Sequence, residues 1–436
     1  MKGSLPNKAT IRSWCMYDWA NSVYSLIVTS SLFPVYYGLV TKSATQGNMV
    51  SFFGFNIPNS ALFSYAVSAS FLLAGILSPF LSSLSDLGGH RRRFLGMFCT
   101  LGSLSCMALY GFSAAHLEWG ILTFVLAAVG YSSSIVFYNS FLPSITTPDH
   151  YARVSARGFA MGYMGSVLLL VMILLPVLVP GLPLIGGMDF LEVCRYGFLA
   201  TGLWWLGFGW FAISGLPEDK DLPSKSLAQT GTWERLRIAL KNTRNVPGLA
   251  RFLVGFFFVN TGVQTIMYLA AIFGDIELHL SSEKLILTIL ILQVVAIGGA
   301  NLFSRLSRVS SDRTTLLLAC GLWVVVCLSA WQVQTENQFF VIAGLVGLVM
   351  GGSQSMMRST FTRFLPHQEK GKAALYGFFD LLDKFSTVLG TLVFGLVNQL
   401  VGTMRVSALV LTVFFVLGAF FLKTLHPPTS EKDETA

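Results

Sequence analysis

Charged residues are scarce in this sequence of 436 residues, where Asp, Glu, Lys and Arg together make up 11%. An ordinary soluble domain carries about 25% charged residues. Hydrophobic residues make up 53% of the chain, which is more apolar surface than so thin a polar shell could cover in water. The composition therefore excludes a soluble enzyme, a disordered chain and a secreted disulfide-rich domain, and it indicates a helical protein with many membrane spans.

Motifs that hold metals, nucleotides or redox groups are also missing. The six cysteines form no Cys-x-x-Cys pair and lie apart from any histidine cluster, so we interpret them as small core residues. No phosphate-binding glycine loop, catalytic triad or flavin motif occurs in the sequence. We therefore expect no metal, no cofactor and no enzymatic activity, and we exclude ATP-driven transport by this chain alone.

Apolar runs are what the sequence has in abundance. A helix rises about 1.5 Å per residue, so about 20 apolar residues cross the ~30 Å hydrocarbon core of a bilayer. On that rule we predict an all-α membrane protein with twelve transmembrane helices. They lie near residues 13–40, 59–83, 94–114, 118–146, 155–181, 194–217, 251–274, 284–304, 314–333, 338–364, 371–400 and 404–424.

The basic residues orient these spans. Of the 29 Lys and Arg residues, 24 fall on one side of the predicted membrane, four fall on the other, and Lys384 lies inside a span. Cytoplasmic loops are rich in Lys and Arg, so we expect both termini in the cytoplasm. The same pattern accounts for the net charge of +8 without a nucleic-acid partner. We expect a bacterial inner membrane, because the chain is compact and has no long polar tails, and a monomer in that lipid bilayer.

The two halves of the chain repeat each other. Phe-Leu-Pro closes the fourth span at 141–143 and the tenth at 364–366, and Asn21-Ser22 in the first span is matched by Asn260-Thr261 in the seventh. We predict a six-helix half over 1–217, a cytoplasmic linker over 218–250 and a second six-helix half over 251–436. Parallel six-span repeats, related by a pseudo-twofold axis, are the plan of the major facilitator superfamily (MFS), which binds substrate between the halves near mid-membrane.

The loop after the second span, Ser85–Arg93, resembles the signature loop of this superfamily, with an acid, two glycines and a run of arginines. We interpret Asp86 with Arg91 and Arg92 as a cytoplasmic latch, because a carboxylate at a helix end can pair with arginine or cap a neighbouring helix. A plain basic loop is the alternative. In the second half Arg308 stands where the acid would repeat and no glycine follows, so a second latch has no support.

A narrower resemblance begins in the first span, where residues 17–22 read Tyr-Asp-Trp-Ala-Asn-Ser. This hexapeptide is similar to the hallmark of the vacuole-effluxer-like family of the superfamily, which has bacterial members and a fungal vacuolar amino-acid exporter. Similar stretches at 137–143, 262–265, 352–358 and 377–384 extend the resemblance over nearly the whole chain. It implies transport of a small solute, with amino acids as the best precedent. Family members often carry an acid where this chain has Thr261. If that acid couples protons in them, this chain couples elsewhere or not at all.

Ionisable residues inside a span are costly and therefore mark candidate functional sites. The eleventh span holds three of them near mid-membrane: Asp380, Asp383 and Lys384. Asp380 and Lys384 share one helix face at i,i+4 and can pair, while the second acid leaves a surplus carboxylate. We interpret the three as a site that couples transport to protons or to substrate charge. A neutralised pair with a structural role only is the alternative.

Polar side chains in both halves are our candidates for substrate contact, and they are Asn21, Tyr24, Asn139, Asn260, Gln264 and Gln354. Hydrogen bonding between helices is an equal interpretation of the amides in the first and seventh spans. Asp18 and Arg358 lie nearer the cytoplasmic ends of the first and tenth spans, and we interpret both as gate residues. For Asp18, capping a helix or reaching toward the interface is an equal alternative.

Two glycine series predict close helix packing. Gly158, Gly162 and Gly165 lie three or four residues apart in the fifth span. In the tenth span the same spacing recurs at Gly344, Gly347 and Gly351. Small residues at this spacing let membrane helices approach closely.

The sequence thus predicts a secondary active transporter of a small polar solute, amino acids first, that works by alternating access. Protons are a candidate coupling ion. Two alternatives stand beside this prediction. An exporter of amphiphilic drugs or lipids is favoured by the many Phe and Met residues, and the other is a non-transporting receptor or scaffold on the same fold.

Overall fold

The computed structural model describes residues 8–44, 49–58, 62, 65–67, 69–77, 90–178, 188–218, 246–280, 282–365, 372–401 and 403–425. Its longer helices are labelled in chain order. They are α1 (Lys8–Val23), α2 (Phe33–Ala44), α3 (Arg91–Ala108), α4 (Leu117–Ser140), α5 (Tyr151–Leu178), α6 (Phe190–Ser214), α7 (Leu249–Leu278), α8 (Ser282–Val309), α9 (Asp312–Gln332), α10 (Glu336–Arg363), α11 (Lys372–Val401) and α12 (Met404–Leu422). Short helical turns lie at Leu109–Gly111, Ala114–His116, Leu142–Ile145 and Pro148–His150.

Within the described residues, ten helices are long and apolar enough to cross a membrane. Helix α11 is not among these ten, although its 30 residues would also reach across the hydrocarbon core. Where the second span was predicted, residues 65–67 and 69–77 are helical. The prediction of an all-α membrane protein is confirmed. The count of twelve spans stays a prediction, because the second span is described only in part.

The first span is one continuous helix with widened turns in its middle. Helix α1 passes through the π-helical segment Tyr24–Leu32 into α2 without a break. Pro34 has no N–H to offer the carbonyl of Ser30, which weakens regular α-helical bonding just before α2. The Ser30 hydroxyl donates to the carbonyl of Ser25, five residues back, at 3.0 Å. Pi-helical turns are frequent at functional sites, and this one begins at a residue predicted to bind substrate.

A β-hairpin follows the first span and was not predicted. Strand β1 (Met49–Phe52) pairs antiparallel with β2 (Phe55–Pro58). The turn residues Phe53 and Gly54 both have positive φ, at 48° and 81°. Two such residues form the turn whose twist matches that of a hairpin.

Buried apolar side chains form two hydrophobic cores. One comprises residues between Trp14 and Leu216, and the other comprises residues between Leu249 and Leu425 together with a few from α4 and α5. We call residues 8–218 the first half and residues 246–425 the second half. The halves meet where α5 packs against α8 and α10, and where α4 packs against α11. The predicted linker lies almost wholly outside the described residues, so its boundaries stay a prediction.

Candidate functional site

A cavity of about 270 Å³ lies between the two halves. Ten of the residues predicted to bind, couple or gate line it. These are Asp18, Tyr24, Asn139, Asn260, Gln264, Gln354, Arg358, Asp380, Asp383 and Lys384. The structure therefore brings together in one place polar groups that the sequence distributes over five predicted spans.

The three ionisable residues of α11 contact one another at the cavity wall. Lys384 Nζ lies 3.4 Å from Asp380 Oδ1 and donates to Asp383 Oδ2 at 2.9 Å. The predicted i,i+4 pairing of Asp380 with Lys384 is thus observed. One ammonium serves two carboxylates, so the cluster carries more negative than positive charge when all three groups are ionised.

Amides of α7 complete this cluster from a second helix. Asn260 Nδ2 donates to Asp383 Oδ1 at 2.8 Å, and Gln264 Nε2 donates to the same oxygen at 3.0 Å. Asn260 and Gln264 stand at i,i+4, so one face of α7 presents both amides to α11. The Asp383 carboxylate accepts three hydrogen bonds in all, which compensates much of the cost of burying its charge.

A buried ion pair joins the halves at the end of the cavity nearest the start of α1. Both terminal nitrogens of Arg358 on α10 lie 3.2 Å from Asp18 Oδ2 on α1, and the two side chains are 7% and 5% exposed. Tyr138 donates its hydroxyl to the same carboxylate oxygen at 2.7 Å. The two predicted gate residues are therefore each other's partner.

Arg358 makes further contacts with the first half. Its Nε donates to Ser155 Oγ at 2.9 Å and its Nη2 donates to the Ser155 carbonyl at 2.8 Å, both on α5. The guanidinium lies over the rings of Phe159 and Trp14, 4.0 Å and 4.8 Å from their centres. Charge pairing, hydrogen bonds and cation–π contact together make burial of this cation tolerable.

Comparison with known proteins identifies the family. The family model "Vacuole effluxer Atg22 like" matches residues 6–434 of this chain. The chain belongs to the vacuole effluxer Atg22-like family. It is therefore an MFS-type multi-pass membrane transporter and not an enzyme, as the sequence predicts.

Relatives match this Atg22-like chain along most of its length. The uncharacterized MFS-type transporter YxiO of Bacillus subtilis is 28% identical over 418 residues, which cover 96% of this chain and 95% of YxiO. Autophagy-related protein 22 of Yarrowia lipolytica is 24% identical, covering 86% of this chain and 77% of its own length.

Solved structures show the same fold at low identity. The human organic anion transporter MFSD10 (TETRAN) superposes with a TM-score of 0.71 at 15% identity, over 96% of this chain and all of its own. The proton:xylose symporter XylE superposes with a TM-score of 0.68 at 12% identity, over 95% of this chain and 94% of its own. The MFS fold predicted from the sequence is confirmed.

Three predicted site residues that the structure describes, Asn21, Arg91 and Arg92, do not line the cavity. Asn21 is completely buried within the first half and accepts a long hydrogen bond, 3.5 Å, from Ser22. Asp86 lies outside the described residues. Arg91 donates to the Ser140 carbonyl, and Arg92 pairs at 3.1 Å with Glu218, the first residue of the predicted linker. The latch of Asp86 with these arginines stays a prediction.

The second half has a buried carboxylate where none was expected. Asp312, the first residue of α9, lies 3.1 Å from Arg363 Nε at the end of α10, and it accepts hydrogen bonds from Ser307 and Thr360. Asp312 stands four residues after Arg308, which occupies the position where the acid of the first half would repeat. This half therefore does hold a carboxylate–arginine link between α9 and α10.

Several cavity residues were missed by the sequence analysis. Tyr131, Tyr163, Tyr268 and Gln293 all line the cavity, and Tyr163 donates to Gln354 Oε1 at 2.9 Å. Gln293 is an amide within an apolar span, which is the signal that singled out Asn260 and Gln264. Tyrosine occurs in so many membrane helices that its position alone carries little information. Among the described residues, no three His, Cys, Asp or Glu side chains group as metal ligands.

The glycine predictions hold at five of six positions. A Cβ atom at Gly158, Gly162 or Gly165 would meet atoms of α1, and one at Gly347 or Gly351 would meet the backbone of α8. At Gly344 no atom lies within 4 Å, so the prediction of close packing is wrong there. Of the three glycines, Gly344 is the nearest to the start of α10.

Proposed function

We propose that this chain is a secondary transporter that carries a small polar solute through the cavity by alternating access. The observation that supports this most directly is the Asp18–Arg358 pair. It joins the first half to the second at one end of a cavity lined by ionisable groups of both halves. Its rupture would open the cavity on the side where α1 begins, which we predict to be cytoplasmic in a bacterial inner membrane.

A buried ion pair suits a gate because its net stability is small. Removing two charges from water costs several kcal/mol per ion, and their attraction offsets that cost only when the geometry is good. When the halves separate, water would solvate Asp18 and Arg358 again and repay most of the lost attraction. The pair would therefore fix one closed arrangement without preventing its opening.

The charged cluster of α11 is our proposed coupling site. Asp380 and Asp383 share the single ammonium of Lys384, and a surplus carboxylate in a membrane span is costly unless a cation or proton accompanies it. The family resemblance implies an acid in many relatives where this chain has Thr261; if that acid couples protons in them, α11 is our candidate for the role in this chain. Amino acids are the solute class that the family resemblance suggests, and the cavity amides could hydrogen bond to them.

Uptake by the purified protein in proteoliposomes tests this proposal. Labelled amino acids would be offered with and without an imposed pH gradient to the wild type, to Asp380→Asn and to Asp149→Asn, whose exposed carboxylate lies outside the cavity. We expect gradient-driven uptake that Asp380→Asn abolishes and Asp149→Asn preserves, because only the former removes a charge from the cluster.

Two results would contradict parts of the proposal. If uptake does not depend on the pH gradient and is unchanged in Asp380→Asn, the hypothesis of proton coupling through α11 is wrong. If folded protein takes up no amino acid under any gradient, amino acids are not the substrate class.

A further inference from the structure

The cations that line the cavity already have anionic partners. Among the described lining residues, Lys384 and Arg358 are the basic ones. Lys384 contacts Asp380 and Asp383, while Arg358 contacts Asp18 and both oxygens of Ser155. A solute carboxylate would have to displace a protein carboxylate from one of them. The described lining therefore offers an anion no basic side chain that lacks a carboxylate partner.

Negative charge exceeds positive charge in the same lining. Asp18, Asp380 and Asp383 face two basic side chains, so the fully ionised described lining carries one net negative charge. A positively charged solute would neutralise it. In a site removed from bulk water that attraction is much stronger than in solution.

The lining also holds two buried amide oxygens that accept no hydrogen bond from the protein. Gln293 Oε1 on α8 is buried, with the residue 7% exposed, and has no donor. Asn139 Oδ1 on α4 is likewise buried without a donor, so each half contributes one such oxygen to the cavity lining. The amide nitrogens of Asn260 and Gln264, in contrast, already donate to Asp383. Buried acceptors without donors are costly, and a ligand N–H would satisfy them.

Aromatic rings form much of the remaining wall. Tyr131, Tyr268 and Phe71 line the cavity, and the last two make an edge-to-face pair with ring centres 5.8 Å apart. Aromatic faces attract organic cations, and Phe159 in the same lining already carries the Arg358 guanidinium at 4.0 Å.

We propose that the cavity selects an organic cation, namely a solute with an ammonium group, an apolar or aromatic body and a net positive charge. The inference rests on the proposed transport function and narrows it. The ammonium group donates to Gln293 and Asn139 and neutralises the surplus carboxylate, while the body lies against the aromatic wall. Two kinds of solute carry this chemistry, amines and basic amino acids.

A ligand series that changes only the charge tests the inference. Tyramine, tyrosine and 3-(4-hydroxyphenyl)propionate share one ring and carry charges of about +1, 0 and −1 at neutral pH. Competition against labelled tyramine on purified protein would give their relative affinities. We expect tyramine to bind at least about tenfold more tightly than tyrosine, and the propionate not to compete. Cadaverine and lysine, added to the series, separate simple amines from basic amino acids.

A variant of Gln293 tests whether its side-chain oxygen contributes to tyramine affinity. Gln293→Met keeps the side-chain volume but removes the oxygen, so we expect tyramine affinity to fall about tenfold. Gln334→Met, at an exposed position between α9 and α10, is the matched control and should bind as the wild type does. Equal binding by both variants would overturn the role of Gln293.

Failure of the inference and failure of transport give different results. If tyrosine or the propionate binds as tightly as tyramine, or if folded protein binds no cation of the series, the inference is overturned. Proteoliposome uptake of whichever solute does bind would then still support transport. If tyramine binds selectively yet no bound solute crosses the membrane, the inference stands and the proposed transport fails.

Discussion

Arg358 concentrates in one side chain the contacts that join the two halves. Its guanidinium reaches Asp18 on α1, Ser155 on α5 and three aromatic rings, and it is 7% exposed. Every one of these partners belongs to the first half, whereas Arg358 itself lies on α10. The ion pair, the hydrogen bonds and the cation–π contacts of Arg358 are therefore all lost together when the halves separate at this end of the cavity.

Removing the guanidinium alone should destabilise the protein. In Arg358→Met the Asp18 carboxylate stays buried without its cation, and breaking a buried pair in this way costs about 3–5 kcal/mol. We expect a clear fall in Tm on thermal unfolding in detergent, and recovery of most of it in Asp18→Asn/Arg358→Met.

Lys284→Met is the control for this prediction. Lys284 pairs with Glu336 at an exposed site, where an ion pair contributes about 0–1 kcal/mol. If Arg358→Met proves no less stable than Lys284→Met, the buried pair does not hold the halves together.

The pairing of two side chains could be predicted from the sequence where the two residues are close together on one helix. Asp380 and Lys384 are four residues apart on one helix, so their pairing follows from helix geometry. Asp18 and Arg358 are 340 residues apart. A single sequence shows that each is costly in a membrane but contains nothing that pairs them. The same limit explains why Asp312 was overlooked, because its partner Arg363 is brought near by the packing of α9 on α10.

Helix α10 crosses α8 with backbone almost against backbone. A Cβ atom at Gly347 would meet the carbonyl oxygen of Leu292, and one at Gly351 would meet that of Ala296. Backbone carbonyls cannot move aside as a flexible side chain can. These two glycines therefore set how closely α8 approaches α10, and through α10 the position of Arg358.

Alanine substitutions at two glycines of α10 compare the stability cost at the close crossing with α8 to that at a position without close contacts. Gly351→Ala should destabilise the protein by about 1–3 kcal/mol, because the added methyl forces the two helices apart. Gly344→Ala, seven residues earlier on the same helix, meets no atom within 4 Å and should be neutral or stabilising, since alanine favours helix. Thermal unfolding of both variants measures the difference. Equal stabilities would show that α8 and α10 can shift at no cost.

Elements were predictable where a strong physical rule applies. Span length and the placement of basic loops predict the long helices. In the hydrocarbon core, only helices and closed barrels satisfy every backbone hydrogen bond. The π-helical segment Tyr24–Leu32 accompanies a bond from the Ser30 hydroxyl to the Ser25 carbonyl and the missing N–H of Pro34, and hydrophobicity records neither. The hairpin Met49–Pro58 lies in a predicted outer loop, where no membrane rule applies.

At the scale of the whole molecule, the two halves share core packing on the side where α1 begins. Val136, Ala152 and Tyr163 belong to the first half by sequence yet pack in the hydrophobic core of the second. The Asp18–Arg358 pair lies in the same contact region. A carrier must open this region once in every cycle, whereas a receptor or scaffold on the same fold need not.

A reversible cross-link across this region tests that requirement. Ser155 on α5 donates to the carbonyl of Ser355 on α10 at 2.9 Å, so cysteines at both positions should come within disulfide reach. We expect oxidation of Ser155→Cys/Ser355→Cys to stop proteoliposome uptake and reduction to restore it, because the halves could no longer separate there. The six native cysteines are buried and free, and the single variant Ser155→Cys controls for their oxidation. Undiminished uptake by fully cross-linked protein would mean that solute passes without opening this contact, which alternating access between the two halves does not allow.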